Sequence, residues 1–484
     1  VDLDRQTITL QEIPGHCRDR FLGGRGIGNY LLWQYGAMHC DALGADNTIV
    51  VNAGLLGGTL VAPHARGTIL AKSPLSGFLT STTLRGPFAD EMRWAGFDHL
   101  VIRGRSKHPV VLFINNGNIE IRDAGQLWGR TTRETRQAIL QEFGDREIKT
   151  CQIGPAGDNL VRFATVMTDR CESAGPSGLG AVLGAKRIKA LVCRGTGDLQ
   201  VKSPVQSLAL GPQATRANPH QPKDTAAWYD NFTIRDTARE MIATQATNQG
   251  MDPVLLTGML RWAAHLFEQG VIDRRHTRGL DLNKLDDSTL LALTENIALR
   301  RNVGRLLGEG PLRAASQFGI KYLPAFGPVS GLLAIYGNGP ISAGDSMLDH
   351  CKAGQSQWQY PKGPGRVPLA LLYDLIYGCL GIDNLSHLPD LENIQAMIRI
   401  NTGLRLDEDR LLSIAYRCYA LERLYNVAAA SRYRKQKETE LNLDVPASFR
   451  LQENWDDAET LSNMRTRMAR HCKANGWARQ ALVK

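Results

Sequence analysis

The 484-residue sequence lacks the closely spaced cysteines on which many metal sites depend. It has nine cysteines, but no two of them form a C-x-x-C pair, so their spacing does not indicate zinc. An odd number of cysteines with no pairing pattern in a long chain is typical of reduced thiols, and we therefore expect a cytoplasmic protein. The nearest group of possible ligands, His350 and Cys351 with His387, is too sparse to predict a metal site.

Long apolar runs and internal repeats are also missing. The longest apolar candidate, Leu369–Leu380, is interrupted by Asp374 and Gly378, so we expect no membrane span; no secretory signal is visible either. A hydrophobic content of 43% and a charged content of 22% are typical of a globular protein. The net charge of +9 favours acidic partners or phosphate-bearing cofactors. The basic residues are scattered, however, and no nucleic-acid binding is predicted.

The first part of the chain has the pattern of a β-rich domain. Two apolar runs, residues 110–114 and 119–121, flank an Asn-Asn-Gly-Asn turn and predict a hairpin. Further strands are predicted at residues 99–102 and 190–193. Between them, Thr131 and Glu134 form a capping box that predicts the start of one helix.

The second part has the pattern of helices. Residues 253–270 begin with proline, end with glycine and carry an apolar stripe, which predicts a helix. Similar helices are predicted at residues 290–307, 391–400 and 411–427. The proline-containing stretch 202–224 is the clearest boundary, and we expect three domains, at residues 1–203, 204–345 and 346–484.

A segment rich in small residues has an amino-acid order that is specific to one family. Residues 151–184 read CQIGPAGDNLVRFATVMTDRCESAGPSGLGAVLG, residues 21–28 read FLGGRGIG, and residues 66–77 read RGTILAKSPLSG. With these motifs the chain resembles the tungsten-containing aldehyde:ferredoxin oxidoreductase family, and the resemblance extends to residues 421–427 (LERLYNV) and 450–477. The family normally has a strand before Val1. A Rossmann fold is not indicated, because residues 23–28 do not fit G-x-G-x-x-G.

The resemblance implies an α+β fold, with a β-sheet base domain followed by two mainly helical domains that close over the cofactor. In the family, that cofactor is a tungsten atom held by two pterins, whose phosphates meet at a magnesium ion, beside a four-iron cluster. We therefore expect a tungsten- or molybdenum-bis-pterin with magnesium.

Several positions correspond to cofactor-binding positions of the family, with one of them, Thr83, changed. The resemblance places Arg66 near the phosphates, Thr83 where the family has an asparagine, and Asp252 as the closing carboxylate of D-x-x-G-L-D. Asp374 and Cys379 fit the spacing of D-x-x-G-L-C, with the glycine displaced by one position; the family uses the aspartate for the pterin and the cysteine for the cluster. Simpler roles remain open for four of them: a surface ion pair for Arg66, helix caps for Asp252 and Asp374, and an inert buried thiol for Cys379.

Other family positions are changed. Three cysteines of the family's C-x-x-C-x-x-x-C motif are missing, and residues 205–230 contain no cysteine; a four-iron cluster needs about four thiolates, so we expect none. Arg85 replaces a glycine, and Thr247 replaces the opening aspartate of D-x-x-G-L-D. Pro176 replaces an arginine, and Ser346 replaces a histidine. Asp230 is a weak catalytic candidate, the remaining carboxylate of the family's GPEYE segment.

Two hypotheses follow for the function. The first is a cluster-free metallopterin enzyme of the aldehyde oxidoreductase type that works in a complex with a redox partner. The second is a non-catalytic paralogue, a pseudoenzyme that serves as a structural or scaffold subunit with an empty or altered cofactor cavity. Both predict a protein partner, either a redox or catalytic subunit or a second copy of the chain.

Overall fold

The computed structural model describes residues 1–61, 66–169, 172–175, 177–214, 236–318, 369–382 and 391–436. Residues Asp230, Pro176, Ser346 and the group His350, Cys351 and His387 lie outside these ranges, as do residues 450–477.

The strands of the described chain all lie before residue 195. They are β1 (Ile49–Ala53), β2 (Gly67–Lys72), β3 (Leu79–Leu84), β4 (His99–Ile102), β5 (Val110–Asn115), β6 (Asn118–Asp123), β7 (Lys149–Gln152), β8 (Met167–Thr168) and β9 (Ile188–Arg194). One antiparallel sheet has the order β3-β2-β1-β4, and the other has the order β6-β5-β9-β7-β8 with β5 and β9 parallel. The hairpin and strand predictions are confirmed.

The helices are distributed along the whole described chain. In the first 214 residues they are α1 (Gly15–Phe21), α2 (Gly24–Tyr35), α3 (Phe88–Trp94), α4 (Thr132–Phe143), α5 (Pro155–Asp158), α6 (Leu179–Ala185) and α7 (Pro204–Ala214). After residue 235 they are α8 (Asp236–Gln249), α9 (Pro253–Glu268), α10 (Arg274–Thr277), α11 (Asp287–Ala298), α12 (Gly304–Leu307), α13 (Pro311–Gln317), α14 (Leu369–Leu380), α15 (Leu391–Thr402) and α16 (Glu408–Gln436). The protein is thus an α+β chain in which sheets precede helical regions.

The first sheet has apolar cores on both faces. Ile49 and Val51 on β1 pack toward the second sheet, in a core shared with Leu112 and Leu191. Val50, on the opposite face of the same strand, packs with residues of α2, α14 and α16. Because both faces are buried, β1 reads as an almost continuous apolar run rather than an alternating one.

Two sequence predictions need correction. The helix predicted at residues 290–307 is two helices, α11 and α12, because Arg300 and Asn302 adopt positive φ angles of 50° and 51° that a continuous helix does not allow. The linker predicted at residues 202–224 contains α7, since Pro204 is tolerated in the first turn of a helix. The three-domain division remains a proposal.

Local signals at the helix starts are confirmed. Thr131 and Glu134 form the predicted capping box of α4.

No helix in the described ranges has both the length and the apolarity that a membrane crossing needs.

Candidate functional site

At the ends of β2 and β3, residues from different sequence motifs lie close together. Arg66 immediately precedes β2, and Gly67 lies opposite Leu84 on β3, while Thr68 lies opposite Thr83. Arg85 follows β3 directly. We call this group of Arg66, Thr83, Arg85 and Asp252 the β2–β3 corner.

The C-terminal end of α14 closes one side of the corner. The backbone N–H of Arg66 donates to the carbonyl of Gly381 at 2.7 Å, and the N–H of Leu55 donates to the carbonyl of Cys379 at 3.0 Å. A Cβ atom on Gly54 would lie 2.2 Å from the Cα atom of Gly381, so glycine is required there. These contacts satisfy terminal carbonyls of α14.

Asp252 lies at the start of α9 and caps it. Its Oδ1 accepts hydrogen bonds from the backbone N–H groups of Val254 and Leu255, each at 3.1 Å, and its Oδ2 accepts one from Ser173 Oγ at 3.0 Å. Burial raises the pKa of Asp252, although these hydrogen bonds and the charge of Arg85 act in the opposite direction. The alternative of an N-cap is confirmed.

A short loop connects Asp252 to the edge strand of the corner. Besides bonding Asp252, Ser173 Oγ accepts a hydrogen bond from the N–H of Gly175 at 2.9 Å. A Cβ on Gly175 would lie 3.3 Å from Thr82 Oγ1 on β3. The loop therefore places the carboxylate of Asp252 beside the end of β3.

Asp374 lies inside α14 and does not cap it. Its Oδ2 accepts a hydrogen bond from Arg25 Nη1 at 2.9 Å, while Arg25 Nε and Nη2 donate to Glu422 at 2.7 and 3.0 Å. Asn29 Nδ2 adds a bond of 2.8 Å to Glu422. Burial alone would lower the pKa of Arg25, but the carboxylates of Glu422 and Asp374 raise it. The network joins α2, α14 and α16.

Cys379 is a buried thiol in the same helix interface. Its Sγ atom lies 4.0 Å from Cys418 Sγ on α16, and neither residue is exposed. A Cβ on Gly26 would lie 2.8 Å from Cys379 Sγ and 3.0 Å from Cys418 Sγ, so both sulfurs rest on the α2 backbone. The hydrogen bond with Cys379, together with burial, raises the pKa of Cys418 well above its ordinary value.

Sequence reasoning found part of this arrangement. It singled out the regions of Arg66, Thr83, Asp252, Asp374 and Cys379, but it assigned no role to Arg25, Glu422 or Cys418. An arginine in a glycine-rich motif and a glutamate one helical turn after a cysteine were the available signals. Thr247, another expected cofactor position, lies elsewhere: it lines a cleft between α4 and α8.

The described residues do not fit an iron–sulfur cluster. Within the ranges given above, no three His, Cys, Asp or Glu side chains group closely enough to hold a metal ion. Cys379 has one cysteine neighbour, Cys418, in direct contact. The phosphate-bearing part of a pterin cofactor fits better, since the corner holds the two cations Arg66 and Arg85.

Family comparison places the chain in a known group. The family model for the aldehyde ferredoxin oxidoreductase N-terminal domain matches residues 1–195, and the model for domains 2 and 3 matches residues 225–328. The two models together match more than half of the chain. The protein belongs to the aldehyde ferredoxin oxidoreductase family.

Curated relatives match through the first part of the chain. The tungsten-containing aldehyde ferredoxin oxidoreductase of Thermococcus kodakarensis is 38% identical over 196 residues, which are 40% of this chain and 32% of the relative. The aliphatic sulfonate oxidoreductase WOR-like subunit of Pyrococcus furiosus is 36% identical over 214 residues, or 41% and 34% of the two chains. The match thus spans about a third of the length of these relatives.

A solved structure shares the fold over nearly the whole chain. It belongs to the active-site complex BamBC of benzoyl coenzyme A reductase, determined in complex with 1,5-dienoyl-CoA. The TM-score is 0.72 at 21% sequence identity, with 99% of this chain and 94% of that chain covered. At this identity the similarity establishes the fold alone.

Proposed function

We propose that the chain is a metallopterin oxidoreductase subunit of the aldehyde oxidoreductase type that has no iron–sulfur cluster of its own. The observation that carries this proposal is the β2–β3 corner. Arg66 and Arg85 flank the paired strands β2 and β3, Arg66 bonds the end of α14 through its backbone, and Arg85 acts electrostatically on the buried Asp252. A bis-pterin with tungsten or molybdenum and magnesium would bring phosphates to these cations.

In this proposal the residues of the corner bind the cofactor. Arg66 and Arg85 would offset phosphate charge, and Thr83 would offer a hydroxyl at the strand end. When bound, the metal centre supplies the two-electron chemistry by which the family oxidises aldehydes. Because the sequence lacks the cysteine motif that holds the family's cluster, the electrons would leave through a redox partner, and the WOR-like subunit among the relatives supports an assembly of this kind.

A second function, a non-catalytic scaffold subunit, is favoured by a different observation. Asp374 and Cys379, the positions that the resemblance assigns to the pterin and the cluster, make buried contacts with Arg25 and Cys418. Asp252 accepts hydrogen bonds through both carboxylate oxygens. These groups support the packing of helices without any cofactor.

Metal and pterin content of natively isolated protein separates the two functions. The first predicts tungsten or molybdenum near one atom per chain with two released pterins, and it predicts that Arg66→Gln retains less of both than the exposed control Arg301→Gln. If metal and pterin are both absent, the scaffold function is supported and the metallopterin function is contradicted. A content of about four iron and four sulfide ions per chain would contradict the expected absence of a cluster under both functions.

Native mass measurement tests the partner. Both functions predict a complex with a second subunit or a homodimer, and a lone monomer with no associated redox protein would contradict both. Asp230, the domain boundaries and a cytoplasmic location remain proposals from the sequence.

A further inference from the structure

A large cleft lies between α4 and α8. Its volume is about 1150 Å³. The residues of α4 and of the segment after it form one wall, and those of α8 form the other. The lining residues are Arg133, Arg136, Gln137, Leu140, Gln141, Gly144, Arg146, Glu240, Ala243, Thr244, Thr247 and Asn248. None of them belongs to the β2–β3 corner.

The residues that line the cleft include more cations than carboxylates. Arg133, Arg136 and Arg146 line it, with Glu240 as the acidic residue among the lining residues. Nearby acids have other partners: Glu134 accepts from Thr131, Asp145 pairs with Arg194, and Glu147 pairs with Lys149. Glu142 is exposed on α4 and does not line the cleft.

Arg136 lies beside a fixed carboxylate to which its Nε makes no hydrogen bond. Asp169 Oδ1 accepts hydrogen bonds from Thr150 N at 2.6 Å and Thr150 Oγ1 at 2.9 Å, which fixes the carboxylate. Arg136 Nε lies 3.7 Å from the same oxygen, beyond hydrogen-bond distance. Within the described ranges, neither Arg136 Nε nor Asp169 Oδ2 has a hydrogen-bond partner, although both atoms are buried.

The other two arginines are exposed. Arg133 and Arg146 make no ion pair with any residue that the structure describes. Other arginines of the described chain do have carboxylate partners, such as Arg162 with Glu309 and Arg274 with Asp281. Of the three guanidinium groups on this wall, Arg136 has a carboxylate at 3.7 Å, while Arg133 and Arg146 keep capacity for an external anion.

The opposite wall supplies neutral hydrogen-bonding groups. Thr244, Thr247 and Asn248 lie three and four residues apart on α8, so they share one helical face. Gln137 and Gln141 are similarly spaced on α4. Amide groups can donate and accept at once, as a heterocyclic base requires, and Leu140 adds an apolar surface.

We propose that the α4–α8 cleft binds a nucleoside polyphosphate. Guanidinium groups bind phosphate oxygens in a planar, bidentate manner, and several of them together suit a chain of phosphates. Cavities that take small molecules typically have volumes of about 300–1,000 Å³, so this cleft has room for a nucleoside as well as its phosphates. A single inorganic phosphate would leave most of it empty.

Calorimetric titration of the full chain with ATP, AMP and tripolyphosphate tests the proposal. We expect saturable ATP binding that weakens about tenfold or more in Arg133→Gln/Arg146→Gln, because each lost charge-assisted bond weakens phosphate affinity. AMP and tripolyphosphate are expected to bind more weakly than ATP. The control Arg301→Gln removes an exposed arginine on a different element and should bind ATP as the unchanged chain does.

Several outcomes would overturn the proposal. These are no saturable ATP binding, equal affinity in the double variant, tripolyphosphate binding as tightly as ATP, or binding of a poly-glutamate peptide in place of ATP. Unchanged circular dichroism and thermal unfolding of the double variant would show that it folds. Since the titration needs neither metal nor turnover, it stands or fails separately from the metallopterin proposal.

Discussion

Arg25 and two arginines of the α4–α8 cleft, Arg133 and Arg146, carry the same charge in opposite surroundings. Arg25 is buried, with 7% of its side chain exposed, and two carboxylates bind it at 2.7 and 2.9 Å. Arg133 and Arg146 are exposed and make no ion pair with any described residue. A desolvated charge is stable only when it is paired, whereas a solvated charge is stable without a partner and stays available to a ligand. The comparison separates structural arginines from those available for binding.

The largest effect is expected where the buried pair is broken. Glu422→Ala leaves Arg25 with Asp374 alone in an apolar interface, and we expect unfolding to become easier by about 3–5 kcal/mol, the usual cost of an uncompensated buried charge. Urea unfolding followed by circular dichroism measures this. Glu295→Ala, which removes the exposed partner of Arg301 at 3.8 Å, is the control and should cost at most about 1 kcal/mol. Equal losses in the two variants would contradict the comparison.

A smaller effect is expected beside the Arg25 network, where α2 contacts the two thiols. Gly26→Ala would place a methyl group 2.2 Å from the carbonyl oxygen of Phe21 and 2.8 Å from Cys379 Sγ. Overpacking of this kind costs about 1–3 kcal/mol. Gly15→Ala, with no atom within 4 Å of its added carbon, is the matched control. A Gly26→Ala chain as stable as the control would show that α2 moves freely against α14 and α16.

Asp90 is an intermediate case, because it is buried with backbone rather than ionic contacts. Burial raises the pKa of Asp90 to about 7, although the N–H of Gly58 and the charge of Arg93 oppose the shift. The folded chain therefore holds a proton that the unfolded chain releases between about pH 4 and 7. The contribution of Asp90 to stability is full at the lower pH and falls as the pH rises to 7, by at most about 1.4 kcal/mol per pH unit.

Asp90→Asn removes this pH dependence. Unfolding free energies at pH 5, 6 and 7 should decline less steeply in the variant than in the unchanged chain. Exposed Asp41→Asn controls for the loss of one charge. A slope that is the same in all three proteins would show that Asp90 is ionised throughout the range.

The smallest effect on stability is expected in the cleft. Arg133→Gln and Arg146→Gln each change an exposed side chain, so we expect unfolding free energies within about 0.5 kcal/mol of the unchanged value. Thermal unfolding measures this, with Glu422→Ala as the opposite reference. A large loss of stability would place these arginines with Arg25 among the structural residues.

Local signals predicted much of the fold. The Asn-Gly turn between β5 and β6, the capping box of Thr131 and Glu134, and the cap by Asp252 each depend on a few adjacent residues. The prediction failed where local pattern and backbone disagreed, at Arg300 and Asn302, whose positive φ angles end α11. Periodicity reports which residues face the core, and it does not report such a break.

The sequence by itself determined the family, the change from sheets to helices, and the missing cysteine motif, because each of these is written in residue type and order. Only the tertiary structure decided what Asp374 and Cys379 contact. Their partners, Arg25 and Cys418, are 349 and 39 residues away, and such distances are closed by helix packing. The same holds for the cleft, whose arginines look like a scattered surface charge until α8 is packed beside α4.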